Sequence, residues 1–258
     1  MSNSITSWIA SCLAAACFSC AGPSVSSGPP NIAPVTPTVQ SELYSLRTTT
    51  PTLRTDGDTP QRHERILADV RTGGHEIAFL GASIMERWTT IGKDRWDSTW
   101  LPRHAVNCGI GGDRTQHVLA RLDHGLLDAL AAPNNHIRWI VLNIGSNNTD
   151  VDTGEQIAAG TEAIIARLRD RLPNAQIALV LLFPRGQYPN PLRDTIASTN
   201  AYLKPFAAKD PEHIHLIDIG ANFLTTTAEI PADLMPDFLH PSATGYKKFS
   251  DELEKFIR

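Results

Sequence analysis

Four short apolar runs, each followed by a stretch of helical periodicity, constrain this chain more than any other feature: Ile77 to Leu80, Trp139 to Ile144, Ile177 to Phe183 and Ile214 to Ile219, with Ala105 to Cys108 a weaker fifth. Short, continuously apolar runs suit strands covered on both faces rather than strands with one wet side. Strands that alternate with helices pair in parallel through crossover connections. The expected fold is therefore α/β: a three-layer α/β/α sandwich with a five-stranded parallel sheet in a flavodoxin-like order.

The helical stretches carry their own punctuation. Thr59-Pro60 reads as an N-cap followed by proline in the first turn, with Ile66, Leu67 and Val70 on one face and Gly73-Gly74 as the stop. Asp152-Thr153-Gly154-Glu155 has the form of a capping box ahead of Ile157, Ile164, Ile165 and Leu168, and Arg169 and Arg171 fall in a basic last turn before Pro173. Leu192 to Ala208 and Ala243 to Ile257 read similarly.

The N-terminal part is different in kind. Residues 1–41 carry no charged side chain, and Trp8 to Phe18 is an apolar stretch rich in small residues. It is too short to span a membrane and has the character of a secretory or lipoprotein-type signal, although Met1 to Ser7 lacks the usual Lys or Arg. Cys17, or else Cys20, is the candidate for a lipid anchor, and export to the periplasm, a membrane surface or the medium follows. Residues 21–58, rich in Pro, Ser and Thr, read as a tether. The expected organisation is thus 1–20 signal, 21–58 linker and 59–258 catalytic domain. Only Cys108 lies in the body of the protein, which excludes a disulfide scaffold. A net charge of -4 over 258 residues gives no basic excess for nucleic acid.

In a parallel sheet, ligands bind beyond the carboxyl ends of the strands, and four suggestive segments fall there. Gly81-Ala82-Ser83 follows the first expected strand, Gly109-Ile110-Gly111-Gly112-Asp113 the second, Gly145-Ser146-Asn147-Asn148 the third, and Asp237-Phe238-Leu239-His240 precedes the last helix. Each has a plain structural use: Ser83 as a helix cap, the glycines as a tight turn, the asparagines as turn closers. Together they supply acyl transfer. Ser83 is the candidate nucleophile, His240 its base and Asp237 the carboxylate that orients the imidazole. The amides of Ser83 and Gly112 with the Asn147 side chain are the candidate oxyanion donors; losing one such donor typically costs about 3 to 4 kcal/mol. At Gly112 the missing Cβ would let backbone approach the substrate. Ile84 and Leu239, adjacent to the nucleophile and the base, are candidate walls of a pocket for a short acyl group. Arg185 reads as a binder of carbonyls, and Trp88, Trp96 and Trp100 as core rather than as a sugar platform.

These four blocks resemble the SGNH (GDSL-type) hydrolase family. Asn107 to Leu119, Pro184 to Arg193 and Asp237 to His240 are similar to the branch of the platelet-activating factor acetylhydrolase Ib catalytic α subunits, and the likeness runs from about Arg62 to the C-terminus. The resemblance implies a serine esterase with the residue roles given above and neither metal nor organic cofactor. The exported, tethered N-terminus departs from that branch and shifts the expected substrate to O-acetyl groups on carbohydrate, with an acetylated phospholipid or a small ester second; a homodimer is a candidate assembly. The chain departs from the family at Ala82, where Gly-Asp-Ser is the rule; that loss predicts a less ordered nucleophile loop and a lower rate. Rival expectations are a non-catalytic domain that binds acylated glycans or a partner, and a nucleotide-binding fold that would leave Asp237 and His240 without a use.

Overall fold

The structure, a computed structural model, describes residues 46–257. Each apolar run forms a strand: β1 (Ile77–Gly81), β2 (Ala105–Gly109), β3 (Trp139–Asn143), β4 (Gln176–Val180) and β5 (Ile214–Ile217). All pairings are parallel, in the order β2-β1-β3-β4-β5. The expected α/β architecture and strand order are those observed. The longer runs overshoot their strands because the loops leaving the sheet are buried too: Ile144, Leu181, Leu182, Phe183 and Ile219 are all at most 3% exposed. Apolarity reports burial, and burial here extends past the last ladder hydrogen bond.

Six helices matter to the site: α1 (Thr59–Thr72), α2 (Ser83–Glu86), α3 (Thr115–Arg121), α4 (Gly154–Arg171), α5 (Pro191–Ala207) and α6 (Ala243–Leu253). Strand side chains alternate between faces. Ala78 and Leu80 of β1 join a core with Ile66, Leu119, Ile164 and Leu203, from α1, α3, α4 and α5. Ile77 and Phe79 face the opposite layer, with Trp88, Trp96, Trp100 and the α6 residues Tyr246 and Phe249. Phe79 meets the three tryptophans edge-on at centroid distances of 5.2–5.5 Å, a geometry worth about 0.5–1.5 kcal/mol per pair beyond burial. These tryptophans are core, as their spacing implies.

Three local expectations need correction. Thr59 is the first residue of α1 rather than its cap; Asp58 holds the cap position, without a side-chain bond. The capping box of α4 is formed by Thr153 and Gln156, one residue later than the Asp152–Glu155 pairing: Gln156 N donates to Thr153 Oγ1 at 3.3 Å and Thr153 N to Gln156 Oε1 at 2.9 Å. The tether expected to reach residue 58 ends earlier, since the described stretch from residue 46 is fastened to the domain. Arg47 pairs with Asp152, Thr115 Oγ1 donates to the Thr48 carbonyl at 3.0 Å, and Thr52 N donates to Gln116 O at 3.0 Å. The signal segment, Cys17 and Cys20 lie outside the described residues.

Candidate active site

The sheet order reverses between β1 and β3, since β2 lies to one side of β1 and β3 to the other. A crevice forms at such a switch point, beyond the strands' carboxyl ends. Ser83 leaves β1 there and Asn147 leaves β3; both line one small recess with Ala82, Ile84, Asn143, Ile144, Gly145, Ser146 and Leu239. It has room for about one water-sized molecule.

Ser83 does not cap its helix. It opens α2 with Ala82 at the cap position, so its N–H has no partner within the helix, and its Oγ lies 2.8 Å from His240 Nε2. On the other side of the ring, His240 Nδ1 is 2.6 Å from Asp237 Oδ2. The Asp-x-x-His spacing works because Asp237 closes its own turn. Its Oδ1 accepts Leu239 N at 3.1 Å and His240 N at 2.8 Å, leaving Oδ2 for the imidazole. Phe238 between them sits at φ 56°, a left-handed conformation that non-glycine residues hold only when the surroundings over-determine it. Here the two Asp237 bonds do so, together with a bond from Gly186 N to Phe238 O at 2.7 Å. Partial burial pushes the Asp237 carboxyl up, but the bonds from the His240 ring and the backbone amides outweigh it and hold the group below its ordinary value. Arg87 Nη1 stands 3.6 Å from the same carboxylate.

Of the oxyanion candidates, Asn147 lines the recess with Ser83, and the residue before Gly112 lies beside the nucleophile: a Cβ on Gly111 would be 3.7 Å from Ser83 Cβ. Asn147 Nδ2 donates to Asp113 O at 2.9 Å, which fixes the side chain and leaves one of its two amide hydrogens. Among the described residues the Gly112 N–H has no acceptor. Gly112 lies at φ +80°, and a Cβ there would meet Arg54 Nη1 at 2.9 Å. The need for glycine is therefore left-handed backbone and contact with a guanidinium, a different reason from close approach to substrate. Asn148 is structural: it is buried, its Oδ1 accepting Thr115 N and its Nδ2 donating to Asp152. Arg185 donates to the Ser146 carbonyl and Thr149 Oγ1, both at 3.1 Å, so it braces the Asn147 loop.

Sequence reasoning missed the groups that hold the glycine loop. Glu86 Oε2 accepts Gly111 N at 2.6 Å, while its Oε1 pairs with Arg62 at 2.9 Å. Arg62 also donates to Gly109 O at 3.0 Å. Buried Arg121 bonds Asp113 at 2.8 Å and the carbonyls of Cys108 and Gly81 at 2.9 and 3.3 Å. Desolvation pushes the Asp113 carboxyl up, against the pull of Arg121 and Arg54. Tyr246 of α6 donates to the Ile84 carbonyl at 2.8 Å, under the nucleophile's helix. A much larger cavity, about 960 Å³, lies behind this loop between Leu53 to Thr55, the start of α1 and His117 to Gly125. It contains none of the acyl-transfer groups. Among the described residues no cluster of His, Cys, Asp or Glu has the makings of a metal site.

Residues 79–248 match the GDSL-like Lipase/Acylhydrolase family. The chain belongs to that family. This acylhydrolase is 36% identical over 196 residues to Platelet-activating factor acetylhydrolase IB subunit alpha2 of Rattus norvegicus, which covers 76% of the chain and 82% of the relative. To subunit alpha1 of Homo sapiens it is 36% identical over 193 residues, 74% of the chain and 79% of the relative. A GDSL-like lipase from Bacteroides thetaiotaomicron superposes with a TM-score of 0.63 at 15% identity, covering 76% of this chain and 96% of the other. An acetyl-xylooligosaccharide esterase from Geobacillus superposes with a TM-score of 0.57 at 18% identity, over 72% and 94% of the two chains. The acylhydrolase is a carboxylic ester hydrolase.

Proposed function

We propose that this acylhydrolase removes short acyl groups, acetyl above all, from the oxygen of carbohydrate esters through Ser83, His240 and Asp237. Ser83 Oγ attacks the ester carbonyl carbon as His240 Nε2 takes its proton; the tetrahedral oxyanion is met by the amides of Ser83 and Gly112 and by Asn147 Nδ2. Collapse expels the alcohol, which receives the proton from His240, and leaves an acyl-serine. Water activated by His240 then attacks the acyl carbon, and release of the acid restores Ser83. Asp237 holds the imidazole tautomer and stabilises the imidazolium.

The observation that carries this reading is the unbroken relay Ser83–His240–Asp237, at 2.8 and 2.6 Å, opening on a recess lined by Ile84 and Leu239. A recess with room for about one water-sized group takes a methyl far better than a chain. Turnover of 4-nitrophenyl acetate, butyrate and octanoate tests the acyl half, and octanoate as the fastest substrate would contradict it. Ser83→Ala and His240→Ala should each lower the rate by several orders of magnitude, and Asp237→Asn by somewhat less. The likeness to the platelet-activating factor acetylhydrolase subunits favours an acetylated phospholipid as the second reading of the alcohol half. Acetate release from acetylated xylan faster than from an acetylated phospholipid supports the carbohydrate reading; the reverse order replaces it.

A further inference from the structure

The Ile110–Asp113 segment is a β-turn closed by Asp113 N donating to Ile110 O at 3.2 Å, with Gly112 third at φ +80°. Positive φ at that position is the mark of a type II turn. Types I and II differ mainly by rotation of the central peptide, here the one joining Gly111 to Gly112. Two consecutive glycines put the smallest steric barrier in the way of that rotation. Because the peptide is planar and trans, its C=O and N–H point in opposite directions. Whatever holds the Gly111 carbonyl therefore aims the Gly112 N–H.

Arg54 holds it. Its Nη1 donates to Gly111 O at 2.6 Å and to Asp113 Oδ1 at 3.3 Å. Asp56 grips the other edge of the guanidinium in a two-point pair, at 2.9 Å to Nε and 2.6 Å to Nη2, a rigid geometry available to arginine and not to lysine. The plane rests where a Gly112 Cβ would be, 2.9–3.3 Å from that point. Arg54 precedes residues 79–248, the part that matches the family. We propose that Arg54 is a positioning residue that locks the Gly111–Gly112 peptide with its N–H turned toward the acyl site, so that the oxyanion donor is set by a side chain that precedes residues 79–248. This rests on the reading of Gly112 as an oxyanion donor. Arg54 touches no reacting atom; it acts through the peptide.

The test uses the full chain with Arg54→Ala and Arg54→Lys, and Ser83→Ala as the control. Arg54→Ala should lower kcat for 4-nitrophenyl acetate by about tenfold to a hundredfold with KM within about twofold, because a misdirected donor is felt in the transition state. Added guanidinium should restore part of that kcat, and Arg54→Lys should fall between wild type and Arg54→Ala. A crystal structure of Arg54→Ala should show the Gly111–Gly112 peptide rotated or in two orientations. Unchanged kcat, a loss confined to thermal stability, or an unrotated peptide overturns the lock. Wild type that turns over no acetyl ester, or Ser83→Ala that keeps the rate, defeats the esterase reading instead; the orientation of the peptide in the Arg54→Ala crystal still decides the lock.

Discussion

Ala82 stands where the family's motif has Asp, and the sequence alone predicts a loosened loop there. The structure supplies the missing carboxylate from one helical turn further on. Glu86 Oε2 takes the Gly111 N–H at 2.6 Å, and Ala82 itself is 8% exposed against apolar core. An Asp at 82 would bring a second carboxylate into a nearly buried position, with its desolvation uncompensated. Ala82→Asp should therefore leave kcat within about threefold of wild type or lower it, whereas Glu86→Ala, which orphans the Gly111 amide, should reduce kcat by about tenfold or more. Steady-state kinetics on an acetyl ester checks both; a tenfold gain from Ala82→Asp would remove Glu86 from this role. Ser83, Asp237 and His240 were legible because the nucleophile follows a strand and the acid and base share one turn. Glu86 and Arg54 were not, since each acts on Gly111 across the fold, at separations of 25 and 57 positions, and their residue types are ordinary surface types.

Among the elements, β1 carries the most. Phe79 has no exposed surface and is ringed by three tryptophans, so Phe79→Ala should cost about 3–5 kcal/mol in chemical denaturation, by lost transfer energy and an unfilled cavity. The start of α4 is a smaller, cleaner test: Thr153→Ala should cost about 1 kcal/mol, while Asp152→Ala acts through lost bonds to Arg47 and Asn148 and leaves the cap intact. Strand positions could be read because apolar runs mark burial, and their ends could not because apolar residues just beyond β3, β4 and β5, such as Ile144, Leu181 and Ile219, are as buried as the strands. The stretch before α1 was misread for another reason. Its residues look like linker by composition, yet Thr52 and Arg54 satisfy main-chain groups of the domain, and composition cannot reveal a partner distant in sequence.

For the whole molecule, His117 couples folding to pH. Burial, with Arg54 and Arg114 nearby, holds its pKa down to about 4 against an ordinary 6.5. Above 6.5 both folded and unfolded chains leave it neutral; between 6.5 and 4 the unfolded chain binds a proton that the folded one refuses, so stability falls as pH drops through that window. Its Nδ1 accepts Arg114 N at 3.0 Å. His117→Gln keeps an acceptor and removes the titration, and its Tm should decline less than that of wild type between pH 7 and 4; parallel slopes would assign the dependence elsewhere. The placement of Arg54 also bears on what the stretch before α1 contributes to the site. A protein that starts at residue 59 retains the relay, both cores and every strand, yet lacks the clamp on the glycine turn. Such a protein should fold and turn over slowly. Removal of residues 1–58 should thus slow the enzyme while leaving its relay and sheet in place.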